Sequence, residues 1–188
     1  MYKYDSNEEI YFSWYLKELA DKGIIINWEY HPKTFILSEK VTHVFHKQLK
    51  TKDVVKNSVI LNDHRYQADF LIHWNAGWEG RIFMCLDGLL STRYAFIANI
   101  NKEGVPFSVI DIKGSFARPH NNSAITFPLN QKWVYQKYNI YVQKIIPQHL
   151  FKETFVPVRF LLTDKSGRAR RIDYKPISIS QYIESIKE

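Results

Sequence analysis

The chain is poor in the residues that staple or interrupt small folds. Its single cysteine, Cys85, cannot form an internal disulfide. Seven glycines and seven prolines in 188 residues exclude collagen-like and low-complexity disordered compositions. No apolar stretch approaches the ~18 residues of a membrane span. The opening Met1-Tyr2-Lys3-Tyr4-Asp5 is followed by no apolar core of the kind a signal peptide needs. These absences set the expectation of a soluble cytoplasmic protein, in the host cytoplasm if viral. Acids are also scarce, 19 against 26 lysines and arginines, and the resulting net charge of +7 suits a polyanionic partner, of which nucleic acid is the commonest.

What is present suits a folded domain. An apolar fraction of 45% and an aromatic fraction of 15% are enough for a core and argue against disorder. Ser6-Asn7-Glu8-Glu9 has the capping-box pattern, and the segment to Lys22 reads as a helix with Phe12, Leu16, Leu19 and Ala20 on one face and Gly23 as its stop. Ile24 to Tyr30 reads as a strand ended by Pro32, with Phe35 to Leu37 continuing the extended path. Lys47, Lys50, Lys52 and Lys56 give a loop after Val41–Leu49 a positive surface. A turn at Asn62-Asp63 precedes a strand carrying Asp69, and Phe107 to Lys113 is a further strand. Leu129 to Tyr138 reads as a helix and Ile140 to Ile146 as a strand. In the tail, Val156–Thr163 and Arg168–Tyr174 read as two strands around the turn Asp164-Lys165-Ser166-Gly167, and Ser178 to Glu188 as a capped terminal helix.

The chemistry concentrates at two strand ends. Asp69 closes Tyr66-Gln67-Ala68-Asp69-Phe70, and Asp111 sits in Val109-Ile110-Asp111-Ile112-Lys113-Gly114. Residues 111 and 113 of a strand share a face, so a carboxylate and an ammonium lie side by side. Two carboxylates hold a hard divalent cation, and a lysine beside them stabilises charge on a phosphate. Gly114 lets the chain turn and a phosphate backbone approach. Glu9 borders the apolar face of the first helix and is a third candidate carboxylate, with Glu8 as its competitor. His43 and His46 fall on opposite sides of a strand with no cysteine pair, which excludes a structural zinc site there.

The order Glu9, Asp69, Asp111-Ile112-Lys113 resembles the PD-(D/E)XK nuclease superfamily, and is most similar to small phage-type endonucleases related to Holliday-junction resolvases and transposon end-cleaving nucleases. Tyr66-Gln67-Ala68-Asp69-Phe70 and Asp111-Ile112-Lys113-Gly114 carry most of the likeness. Glu29-Tyr30-His31-Pro32 resembles the family's first strand, with histidine where glutamine is frequent. Phe127-Pro128-Leu129-Asn130-Gln131-Lys132-Trp133 resembles the following helix.

The resemblance implies an α+β fold: a restriction-endonuclease-like αβββαβ core over residues 1–146, with a mixed central sheet flanked by helices. Residues 74–106 would be an insertion and 147–188 a basic extension, a β-hairpin and helix packed on the core. It implies Mg²⁺ or Mn²⁺ on Asp69, Asp111 and the Ile112 carbonyl, favours Glu9 over Glu8 as the helix acid, makes Lys113 the catalytic lysine, and turns Gln131 and Lys132 toward the site. The expected activity is metal-dependent DNA endonuclease action, on branched or phage replication DNA. The alternative is a catalytically inactive nuclease-fold subunit that binds DNA in packaging, transposition or recombination. Lys165, Arg168, Arg170 and Arg171 are the expected phosphate contacts, with Trp74, Trp78, Arg81 and Arg93 as candidates for stacking on bases. Resolvase-like action would require two sites and hence a homodimer.

Overall fold

The computed structural model describes residues 3–32, 34–84, 93–114, 122–162, 164 and 166–186. The chain opens with α1 (Asn7–Asp21), started by Ser6, whose side chain accepts from the Glu9 N–H. It ends in a Schellman motif: Ile24 N–H donates to Leu19 O and Gly23 N–H to Ala20 O, with Gly23 at φ +67°. Phe12, Leu16 and Leu19 recur at helical spacing and are fully buried, as is Tyr15. Each such side chain stabilises the fold by about 1.5–3 kcal/mol relative to exposure.

The strands follow as β1 (Ile25–Tyr30), β2 (Thr34–Ser38), β3 (Val41–Gln48), β4 (Asp53–Leu61), β5 (His64–Gln67), β6 (Phe70–Trp74), β7 (Phe83–Met84), β8 (Tyr94–Ala95), β9 (Asn99–Ile100) and β10 (Pro106–Ile112). Then come α2 (Asn122–Tyr138), β11 (Val142–Ile145), α3 (Pro147–Glu153), α4 (Val158–Leu162) and α5 (Ile179–Ser185). The architecture is mixed α+β. The main sheet has the order β1-β6-β10-β11, with β9 also paired to β10. β1, β6 and β10 are antiparallel neighbours, and β11 runs parallel to β10 after the crossover through α2.

The sheet separates two cores. On one side Phe70, Ile72, Ile110 and Ile112 join Phe12, Leu16 and Leu19 of α1. On the other, Val109 and Val142 join Phe127 and Val134 of α2, with Phe35, Leu37 and Tyr66 from the β2–β5 pair. Strand alternation therefore puts the odd-numbered residues 109, 111 and 113 on the α2 side.

Several expectations are corrected. The tail contains no β-hairpin among the described residues: 158–162 is helical and 168–174 carries no strand. Pro157 presets the helical φ, and its carbonyl accepts from the Phe160 and Leu161 N–H groups. The helical turn drives Phe160 into the α1-side core alongside Phe151 and Tyr11. The expected turn does form, with Asp164 Oδ1 accepting from the Ser166 and Arg168 N–H groups; Lys165 lies outside the described residues. The helix expected from Leu129 begins at Asn122 and carries Pro128 inside it. Phe127 and Val134, seven residues apart, hold both sides of the proline to one core. The stretch 74–106, expected as an insertion, is partly core: Trp74, Ile82, Met84 and Phe96 are buried with α1, while Cys85 lies outside the described residues. Leu150, Phe151, Phe155, Ile179 and Tyr182 tie the tail helices into that core.

Candidate active site

Asp69 immediately precedes β6, and Asp111 is the next-to-last residue of β10, the strand paired to it. Register Ile110↔Phe70 puts the two aspartates at one end of the sheet on the α2 side. The backbone locks this corner: Asp69 N–H donates to Ile110 O at 3.0 Å, and Asp69 Oδ2 accepts from the Ile112 N–H at 2.6 Å. Asp111 is 4% exposed. Its Oδ1 accepts from the Tyr66 hydroxyl at 2.7 Å. Its Oδ2 is buried, makes no hydrogen bond, and lies against the Lys113 ammonium in an ion pair. Lys113 in turn sits 5.5 Å over the Phe127 ring of α2.

The electrostatics follow from burial. Removal from water, then the Asp111 charge, push Asp69 up to about 7, against the Ile112 N–H and Lys113, which favour the carboxylate. The Tyr66 phenol is held well above its ordinary value by burial and by the Asp111 charge, so it stays a donor. Two neighbouring carboxylates, Asp111 buried and Asp69 half-buried, with one Asp111 oxygen held only by the Lys113 ammonium, form a donor set whose repulsion a divalent cation would relieve. The residues present therefore fit Mg²⁺ or Mn²⁺, with Asp69 and Asp111 as carboxylate ligands.

The helix acids are arranged differently from expectation. Glu9 is 7% exposed, and both its oxygens are taken: Oε1 by Ser6 Oγ at 2.8 Å, Oε2 by the Tyr30 hydroxyl at 2.7 Å and the Asp5 N–H at 2.9 Å. Capping chemistry thus turns Glu9 toward the start of the helix. Glu8 is the acid that reaches the motif strand: its Oε1 lies 3.8 Å from where a Cβ on Gly114 would stand. Asp5, Glu9 and His31 bring their ligand atoms within 4.8 Å of one another, the one such trio among the described residues. His31 is 3.7 Å from Asp5, stacks on Tyr30, and adopts φ 49° just before Pro32, a conformation disfavoured twice over. Its N–H donates to Asp69 O, which ties the bend to the aspartate corner.

The remaining expected residues are scattered. The Gln131 amide donates to Val142 O at 2.6 Å, at the level of Val109 rather than Asp111. Gln131 and Lys132 line an open groove of about 1230 Å³ with Asn99, Tyr135 and Tyr141. Arg170 is engaged internally, over the Tyr11 and Phe160 rings and donating to Phe160 O and Tyr11 OH. Arg168 donates to Ser166 Oγ, and both it and Arg171 are exposed. Trp74 is 1% exposed and donates to Ser108 Oγ, so it is unavailable to a base. Trp78 packs at the edge of the core beneath Arg81. Tyr66, read from the sequence only as part of the Tyr66-x-Ala68-Asp69 run, is brought onto Asp111 by the fold.

No helix among the described residues is long and apolar enough to cross a membrane. No family model, curated protein or solved structure matches the chain.

Proposed function

We propose that the chain is a metal-dependent DNA endonuclease of the PD-(D/E)XK type. The observation that carries this reading is the pairing of buried Asp111 with half-buried Asp69 at adjacent strand ends, with Lys113 on the same face. The sheet order β1-β6-β10-β11 between α1 and α2 supports a restriction-endonuclease-like core. Asp69 and Asp111 would hold Mg²⁺ or Mn²⁺, the resemblance adding the Ile112 carbonyl. The bound cation would supply Lewis-acid polarisation of the phosphate and a more acidic water. Tyr66 orients Asp111 by its hydrogen bond. Lys113 supplies positive charge where a pentacovalent phosphate would develop negative charge. Glu8, rather than Glu9, is the helix carboxylate positioned to take part, either on the cation or on its water.

Incubation of linear, single-stranded, flap and four-way DNA with Mg²⁺ and with Mn²⁺ tests the proposal. Cleavage of at least one substrate, lost in Asp111→Ala and Lys113→Ala with binding retained, is the expected result. Cleavage that survives both substitutions, or DNA binding with no cleavage in either metal, contradicts it; the latter outcome favours the accessory-subunit reading.

A further inference from the structure

The β3–β4 hairpin stands apart from the site and from both cores. Every residue of β3 is exposed, and the two strands pack substantially only on each other. Eight residues of β3 at about 3.3 Å each extend about 25 Å. A lone two-stranded ribbon is marginal in water, and this one leaves Val44, Phe45, Val55 and Val59 exposed, so a partner surface is expected.

Register assigns the faces. His43 opposes Ser58, Phe45 opposes Lys56 and Lys47 opposes Val54 on one side; Val44 opposes Asn57 and His46 opposes Val55 on the other. The tip is closed by the Leu49 N–H donating to Lys52 O at 2.9 Å, which places Lys50 and Lys52 at the end of the arm. Lys47, Lys50, Lys52 and Lys56 are exposed and make no ion pair among the described residues. From Lys40 to Leu61 there are five lysines and one acid, Asp53, so this short segment carries more than half of the net charge of +7. Charge of that density on an exposed ribbon complements a phosphate backbone, and a two-stranded ribbon is an element the DNA major groove admits.

We propose that the β3–β4 arm is a duplex-DNA grip, with Lys47 and Lys56 on its contacting face and Lys50 and Lys52 at its tip meeting phosphates. It rests on the nucleic-acid reading above and assigns the affinity to the arm rather than to the tail arginines. The test is binding of the full chain to a labelled DNA duplex in EDTA, followed by fluorescence anisotropy across a salt series. Replacing all four lysines by glutamine (Lys47→Gln, Lys50→Gln, Lys52→Gln, Lys56→Gln) should flatten the slope of log affinity against log salt by about 0.9 for each phosphate no longer neutralised, about 3.6 in all. Affinity near 0.1 M salt should fall at least tenfold. Lys17→Gln, Lys22→Gln and Lys152→Gln together, which remove three charges outside the arm against four within it, should leave the slope within about 0.9 of wild type, the equivalent of one phosphate. An unchanged slope in the arm variant overturns the proposal, as does failure of the wild type to bind duplex at low salt. So does a fall in affinity accompanied by a halved mass in light scattering, which would assign the arm to a second copy of the chain. Because the readout is binding in EDTA, absence of cleavage would overturn only the endonuclease reading.

Discussion

Two acidic clusters lie at one end of the main sheet, and they differ in what the protein does for them. In the first, both Glu9 carboxylate oxygens are answered by donors of the chain: Ser6 Oγ, the Asp5 N–H and the Tyr30 hydroxyl. Around Asp111 one oxygen takes the Tyr66 hydroxyl, and the other has only the Lys113 ammonium beside it. Asp69, meanwhile, is pushed toward neutrality by burial and by its neighbour. The first cluster is complete as a helix cap. The second is electrostatically unfinished, which is the condition under which a cation adds stability. Acidity and proximity are common to both clusters; the open carboxylate oxygen is what sets the second apart and motivates the metal proposal.

Substitutions can break or sharpen that contrast. The largest effect belongs to Asp111→Ala and Lys113→Ala, each expected to lower cleavage at least about a thousandfold while duplex affinity stays within severalfold; rates under single-turnover conditions and anisotropy check both. Next comes pH. Native Asp69, at about 7, keeps a proton that the unfolded chain, near 3.8, has already released. Metal-free stability should therefore fall as pH rises from about 4 to about 7. Asp69→Asn should remove that slope, and Mg²⁺ should restore stability at pH 8, as thermal melts will show.

Glu9→Gln should cost about 1–2 kcal/mol through the weakened cap, lowering the melting temperature by a few degrees, yet keep cleavage within a few-fold of wild type. Glu8→Gln should do the reverse, slowing cleavage with little change in melting. Arg170→Ala, the smallest expected effect on function, should destabilise the tail by removing its packing on the Tyr11 and Phe160 rings and leave the salt dependence of DNA binding intact.

Much of this was legible in the residues. Asp111 and Lys113 stand at the end of the apolar run of β10, Asp69 stands just before β6, and Ser6 and Ser178 announce their helices as N-caps. What escaped was decided by packing at a distance. Glu8 and Glu9 are neighbours about 100° apart around a helix, and only the docking of α1 chooses which faces Gly114. Tyr66 meets Asp111 across 45 residues, a contact no local pattern encodes. Val158 to Leu162, rich in apolar residues, reads as a strand until the core claims Phe160 on a five-residue helix. The β3–β4 turn, Leu49-Lys50-Thr51-Lys52, contains none of the glycine or asparagine that marks tight hairpins, so the arm read as a strand and a loop.

Calorimetric titration of Mn²⁺ at pH 8 tests the central claim most directly. The account predicts one saturable site in the wild type, retained in Glu9→Gln and lost in a chain carrying both Asp69→Asn and Asp111→Asn. Binding that survives the aspartate changes and disappears with Glu9→Gln would contradict it, and would move the metal to the Asp5–Glu9–His31 trio.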